Sequence, residues 1–263
     1  MINKRIIYSL LYSNGFFHLS RNFRLQRVGD IEWIKSNYGF GETCHSIDEL
    51  MVTLVTHNPD KREYTDYLKN IKILKKKIFV PLTLGGGIKH FDNAKMYFDC
   101  GADKILINTA FYNNKKLLSK IASEFGAQAN TLMIDYKEIN KKFIAFKECG
   151  KIEAELIDNN FVKKINQSEV GDVIFNSIDR DGNAAGLDIE AVKKFTKTLK
   201  KPLLVMGGAG KPEHIINCLN IKKISGVVTA NLFNFLGNGL NKIRNEAIIN
   251  GIPIAKFDTS LVN

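Results

Sequence analysis

The chain has 263 residues, 44% hydrophobic and 25% charged, with a formal net charge of +11. These are ordinary globular fractions at a length that buries a sizeable core without staples, and no run approaches 18 consecutive apolar residues, which excludes a transmembrane helix. The charge directs attention to acidic partners, but its lysines are spread along the whole chain, as on a solvated surface.

From the N-terminus, Met1–Ile7 passes straight into an apolar run with no cleavage-site pattern, so no signal peptide is expected. The first predicted strand is Arg5–Leu10. Ser13–Arg27 then follows, too long for a simple loop. Asp30 is placed to cap a helix bearing Ile31, Ile34 and Tyr38. Glu49–Val55, Ile78–Thr83 and Lys104–Ile107 are the next strands, and Asn113 or Asn114 caps a helix bearing Leu117, Leu118 and Ile121. Thr131–Asp135 is the fifth strand. After it, Phe143–Phe146 alternates between Lys141-Lys142 and Gly150, as a small hairpin does. Asp172–Asn176, Pro202–Met206 and Gly226–Thr229 complete eight strands, with Asp188 capping a helix bearing Ile189, Val192 and Phe195.

The strands are short and rich in Ile, Val and Leu on both faces, the pattern of parallel strands covered by helices. Eight β-then-α units predict an α/β fold, a single (βα)8 barrel over residues 1–263, with an eight-stranded doubly wound sheet as the alternative. Proline and glycine are too evenly spread to mark a linker. An internal repeat favours the barrel: Pro81–Gly87 resembles Pro202–Gly208, and Asn108–Phe111 resembles Ala230–Phe233, at offsets of about 120 residues, as half-barrel duplication produces.

Cys44, Cys100, Cys149 and Cys218 lie far apart with no C-x-x-C pair, which fits a reducing cytoplasm; Cys100 and Cys218 read as small core residues. The five histidines show no metal-ligand spacing, so no metal is expected. No aromatic-interleaved basic stretch suggests nucleic acid.

Gly86 and Gly87 follow strand three, and Gly207 and Gly208 follow strand seven. Glycine lets backbone N–H groups approach an anion closely. One strand later sit Asn108-Thr109 and Ala230-Asn231. The two pairs, on opposite sides of a barrel mouth, predict grips for a phosphorylated small molecule. Asp135, at the end of an apolar strand, is the candidate general acid or base. Asp179 and Asp181 follow strand six and either line the mouth or fix a turn. Arg5, Glu49, Lys104 and Asp172 begin four strands, expected to alternate around the barrel, where they cannot join an apolar layer.

Lys4–Ile7, Ile47–Leu50, Gly85–Ile88, Gly101–Ala110, Ser177–Gly182 and Gly207–Gly210 occur in an order that resembles the cyclase subunit of imidazole glycerol phosphate synthase, HisF, over nearly the whole chain. The resemblance implies a barrel without metal or organic cofactor, partnered with a HisH-type glutaminase. Ammonia released by the glutaminase passes through the barrel to a doubly phosphorylated ribonucleotide. It implies two catalytic aspartates, of which one matches Asp135 and the other falls at Leu11. A loop lysine falls at Leu19, and a further aspartate at Leu54. Asn176 stands where threonine is usual, and Asn231 where serine is usual. Arg5, Glu49, Lys104 and Asp172 match the ring that gates ammonia. A salt-bridged plug is the other reading of those four.

A kept passage with altered cyclase residues resembles the HisF-like paralogues of surface-polysaccharide biosynthesis. These are associated with formation of an acetamidino group on an amino sugar, beside a sugar-activating synthetase-like protein. Two other readings stand. One is a genuine histidine-pathway cyclase with Asp179 or Asp181 as the replacement acid. The other is a non-catalytic scaffold that activates a glutaminase.

Overall fold

The computed structural model describes residues 4–38, 46–230 and 239–257. Asn231 and Cys44 lie outside the described residues. Eight parallel strands close into a barrel: β1 (Arg5–Ser13), β4 (Glu49–Leu54), β5 (Leu82–Gly85), β6 (Lys104–Ile107), β7 (Asn130–Ile139), β10 (Asp172–Ser177), β11 (Leu203–Met206) and β12 (Ile224–Thr229). Closure comes from β12 pairing β1 (Arg5↔Gly226) and β10 pairing β7 (Asn176↔Asp135). The helices are α1 (Ile31–Asn37), α2 (Lys61–Lys75), α3 (Phe91–Asp99), α4 (Thr109–Asn113), α5 (Lys115–Phe125), α6 (Asn159–Gln167), α7 (Ile189–Phe195), α8 (Pro212–Leu219) and α9 (Gly239–Ile249).

Three helix starts follow from side-chain chemistry. Asp30 accepts from Trp33 N at 2.9 Å, Asn114 from Leu117 N at 3.2 Å, and Asp188 from Ala191 N at 3.2 Å. Each satisfies a backbone donor that the first helical turn leaves open. Cys100 and Cys218 are buried, as expected.

The third strand departs from the sequence expectation of Ile78–Thr83. β5 is Leu82–Gly85. Ile78 is buried but lies ahead of the strand, and Phe79 is 88% exposed. The apolar run Ile78–Val80 therefore imitates a strand without pairing as one. Ser13–Arg27 forms an antiparallel ribbon, β2 (Phe16–Arg21) and β3 (Arg24–Gly29), that extends β1. The expected hairpin after strand five is also present: β7 runs on to Ile139, turns at Asn140-Lys141, and pairs with β8 (Lys142–Lys147), which pairs with β9 (Ile152–Leu156). Both two-residue turns, Asn22-Phe23 and Asn140-Lys141, have φ between +49° and +62°, the left-handed backbone that matches strand twist.

Side chains alternate across the barrel wall. Ile6, Tyr8, Leu10 and Tyr12 point out to the helices, in the large core. Inside, a separate apolar layer is built from Ile7, Met51, Leu106, Met133, Ile174, Leu204, Met206 and Val228. Polar groups lie on either side of it along the same strands: Arg5, Glu49, Lys104 and Asp172 two residues or so below, Asp135 and Asn176 two above. The period of two in each strand fixes this layering. β5 and β11 are four strands apart, as half-barrel duplication requires.

Candidate active site

At the N-terminal end of the barrel, four charges form one connected ring. Arg5 donates to both carboxylate oxygens of Asp172, Nη1 to Oδ2 at 2.9 Å and Nη2 to Oδ1 at 2.7 Å. Lys104 Nζ lies 2.9 Å from Asp172 Oδ2 and 2.9 Å from Glu49 Oε2. Arg5 Nη1 approaches Glu49 Oε2 at 3.5 Å, and Thr83 Oγ1 donates to Glu49 Oε1. The four do not alternate around the barrel as expected. They start its first, second, fourth and sixth strands. β1 and β4 are neighbours, paired with Ile7 beside Glu49, and this stagger sets Arg5 below Glu49 so that one guanidinium spans both acids. Burial alone raises the Asp172 pKa, but the hydrogen bond and charge of Arg5, with Lys104, outweigh it and hold that carboxyl below the ordinary range.

At the other end opens a cleft of roughly 730 Å³. Of the sequence-predicted site residues, Gly86, Gly87, Asn108, Thr109, Asp135 and Asp181 line it. Gly207, Gly208, Ala230 and Asp179 do not. Gly207 and Gly208 have φ of +98° and +94°, and a Cβ on Gly208 would meet the Gly186 carbonyl at 2.3 Å. Glycine there answers to close packing of the loop after β10. The first glycine turn is equally constrained. Gly86 has φ +95°, and a Cβ would stand 1.8 Å from the Leu54 carbonyl. Tyr97 Oη donates to Gly86 O at 2.7 Å and Tyr64 Oη to Gly87 O, so the turn is held from outside by α3 and α2.

Asp135 is 6% exposed. Its two oxygens accept from neutral amides, Oδ1 from Asn176 Nδ2 at 2.8 Å and Oδ2 from Asn108 Nδ2 at 3.0 Å. Burial pushes its pKa up to about 7; the Asn176 bond opposes the rise and the charge of Asp181 adds to it. A carboxyl that exchanges its proton near neutrality is what acid–base work requires.

Leu11 lines the same cleft. It is half-buried, paired to Thr53 on β4 and His18 on β2. Leu19 sits on β2 outside the cleft lining. Asp181 is buried and its carboxylate is engaged: Oδ2 accepts from Ser20 Oγ at 2.5 Å and from Phe23 N at 3.0 Å. It clasps the β2–β3 ribbon. Asp179 Oδ2 accepts from Glu138 N at 3.1 Å, tying the loop to β7. Among the described residues, no group of His, Cys, Asp and Glu is arranged to hold a metal, and no helix is long and apolar enough to cross a membrane.

Residues 45–238 match the family model described as histidine biosynthesis protein. The chain is 37% identical, over 94% of its length and 91% of the relative's, to a protein of Parasynechococcus marenigrum strain WH8102 that carries the provisional name imidazole glycerol phosphate synthase subunit hisF2. It is 32% identical to the imidazole glycerol phosphate synthase subunit HisF of Saccharolobus solfataricus, over 93% of this chain and 94% of that one. With HisF of Thermotoga sp. strain RQ2 it shares 32% identity over 89% of this chain and 90% of the other. The chain belongs to the HisF family.

Within this HisF-family cleft, sequence reading missed several polar groups. Asn108 was expected at a phosphate, yet it donates to Asp135, to Met133 O and to Phe146 O. Asn176 was noted only as a replacement, yet it holds the other carboxylate oxygen. Neutral amides form no sequence pattern, so register alone reveals them: Asn176 pairs Asp135 across β10 and β7. Ser13, Thr56 and Glu63 form a further hydrogen-bonded chain at the rim.

The raised Asp135 pKa has a consequence for stability. Folded protein binds this proton more tightly than unfolded chain, so the contribution is full below the unfolded pKa of about 4 and is lost as pH rises toward 7. Asp135→Asn removes the loss. Because Asn176 Oδ1 has no partner, that amide can turn over and accept from the new side chain. At pH 8 the variant is expected to melt higher than the parent by on the order of 5 °C, with the difference vanishing near pH 4. Thermal melts across that range check it; equal melting temperatures at pH 8 would show that Asp135 ionises without penalty.

Proposed function

We propose that this chain is the ammonia-delivering barrel of a glutamine-dependent amidotransferase complex. A HisH-type glutaminase sits at the N-terminal end and feeds acetamidino-sugar formation in surface-polysaccharide biosynthesis, together with a sugar-activating synthetase-like protein. One observation carries the reading: Asp135 is buried in the cleft with both oxygens on neutral amides, the other buried acid there, Asp181, is bound to Ser20 and Phe23 of the β2–β3 ribbon, and Leu11 occupies the position at which the family resemblance implies the second catalytic acid. A leucine transfers no proton. The basal ring of Arg5, Glu49, Lys104 and Asp172 is nevertheless complete. Above it the apolar layer around Ile7, Met51 and Leu106 favours a neutral molecule such as NH3 over a cation, because burying an unpaired charge is costly. Gly86 and Gly87 after β5 and Thr109 after β6 line the cleft, and on this reading they face a phosphorylated small molecule.

A genuine cyclase is the second reading, favoured by Asp181, which lines the same cleft. Its two hydrogen bonds to the β2–β3 ribbon weigh against a proton-transfer role. The test is turnover of the doubly phosphorylated ribonucleotide of histidine biosynthesis with free ammonia as nitrogen source. Loss of one of two proton-transfer groups predicts a rate about 100-fold or more below that of a cyclase with both; a rate equal to such a cyclase overturns the proposal. A scaffold that passes nothing is separated by Asp172→Trp, which fills the barrel base. Unchanged glutamine-dependent product formation would favour the scaffold.

A further inference from the structure

At position 11 the wall of the cleft is apolar. Two residues further along β1, about 7 Å nearer the mouth, stands Ser13, which also lines the cleft and is buried. Tyr12 between them points outward into the helix-facing core, so Leu11 and Ser13 share the inner face of the strand. Ser13 heads a chain of hydrogen bonds that ends on a carboxylate. Its Oγ lies 2.7 Å from Thr56 Oγ1, and Thr56 Oγ1 donates to Glu63 Oε1. Thr56 lines the cleft as well.

The carboxylate fixes the direction of that chain. An ionised carboxylate only accepts, so Thr56 directs its one proton to Glu63, and Ser13 directs its own to Thr56. Asn14 Nδ2 donates to Ser13 Oγ at 3.1 Å. A hydroxyl has two lone pairs, and one on Ser13 remains for the cleft. Glu63 is placed for this by departing from its local role. It is the third residue of α2, whose cap Asp60 accepts from Glu63 N at 2.8 Å. A glutamate there ordinarily turns back to the N–H of its cap. Glu63 reaches across to β1 instead, where Oε1 also accepts from Asn14 N at 2.8 Å. It is half-buried, so the carboxylate adjoins both the hydroxyls and the solvent. A bare tether between β1 and α2 needs only the Asn14 bond. Two hydroxyls in series, both lining the cleft, are what a path for protons adds.

We infer that Ser13, Thr56 and Glu63 are a proton relay that serves the cleft in place of an acid at position 11. A hydroxyl or amine of the bound small molecule gives its proton to Ser13 Oγ. The Ser13 proton passes to Thr56 Oγ1, and the Thr56 proton to Glu63 Oε1. One ligand O–H or N–H bond and two hydroxyl O–H bonds break as three O–H bonds form. The negative charge moves from Glu63 to the ligand atom, and nothing is oxidised or reduced. Glu63 then returns the proton to water. Ser13 touches the ligand; Thr56 and Glu63 act through it as positioning residues. The inference rests on the cleft of the proposed function, with Asp135 as its other proton-transfer group.

The experiment measures ammonia-dependent turnover of the doubly phosphorylated ribonucleotide of histidine biosynthesis by the full chain. Glu63→Gln keeps an oxygen to accept from Thr56 and Asn14 but takes up no proton. It is expected to lower the parent's kcat about 10-fold with KM unchanged. Thr56→Val should do the same, and Thr56→Ser, which keeps the hydroxyl, should retain the parental rate. Joined to Leu11→Asp, Glu63→Gln should lower kcat by about 2-fold or less, because the acid at position 11 takes over the proton. An unchanged melting temperature confirms the fold of each variant. A parental kcat in both Glu63→Gln and Thr56→Val, or a raised KM alone, overturns the relay and leaves the amidotransferase reading standing. A parent chain with no turnover does the same. A parent rate equal to that of a cyclase with two acids overturns the amidotransferase reading; its loss in Glu63→Gln would keep the relay, and its persistence there would overturn both.

Discussion

Leu11→Asp is expected to raise ammonia-dependent turnover of the histidine-pathway ribonucleotide by about 100-fold. The backbone already places residue 11 with its side chain in the cleft that Asp135 lines. The two positions have opposite environments. Asp135 is 6% exposed, and burial pushes its pKa to about 7. Residue 11 is half-buried at the cleft wall, where a carboxylate keeps contact with water and ionises at ordinary pH. Two carboxyl groups held apart in pKa divide the roles, one proton donor and one acceptor. Steady-state rates of the parent, Leu11→Asp, Asp135→Asn and the double variant, each with ammonia as nitrogen source, test this. The gain should disappear when Asp135→Asn is added. A folded Leu11→Asp protein with no gain would show that the missing acid is not what separates this cleft from cyclase chemistry.

Asp172→Asn is expected to lower stability by about 3–5 kcal/mol, a fall in melting temperature of roughly 10 °C. Three hydrogen bonds from two cations converge on this carboxylate. Its removal leaves Arg5 and Lys104, each about one-fifth exposed, to share Glu49. The parent's advantage depends on pH with a definite sign. The folded pKa of Asp172 is depressed, so its contribution is present above the unfolded value near 4 and lost as pH falls through the folded value. Melting temperatures of parent and variant should converge in strong acid and separate at neutrality. A loss below about 1 kcal/mol at pH 7 would mean that water replaces the ring's bonds.

The barrel was legible because its strands are short apolar runs separated by helix caps, and Asp30, Asn114 and Asp188 act as their side chains suggest. It failed where an apolar run had another cause. Ile78 is buried outside the sheet and Phe79 faces water, so composition pointed to a strand that pairing does not support. The β2–β3 ribbon also escaped, because its turn is Asn22-Phe23 and phenylalanine is an unusual residue at φ +62°. That conformation is held by Asp181, 158 residues away in sequence, a contact no local pattern discloses. In the cleft, Asp135 stood out as an acid after an apolar strand. The amides that hold its two oxygens did not, since Asn108 and Asn176 acquire meaning only through barrel register. The circular placement of Arg5, Glu49, Lys104 and Asp172 likewise depended on strand stagger.

The clasp of Asp181 on the β2–β3 ribbon bears on what holds one wall of the cleft. Beside the carboxylate bonds to Ser20 and Phe23, Asn22 N donates to Asp181 O at 2.9 Å, and Asn22 Nδ2 lies 3.1 Å from both Ile178 O and Asp179 O. One side of the mouth is thus stitched to the loop after β10, while Lys89 and Lys151 also line the cleft. Asp181→Ala would undo the carboxylate bonds of this stitch, so the wall that Ser20, Phe23 and Asp181 give the cleft depends on a contact between two loops far apart in sequence.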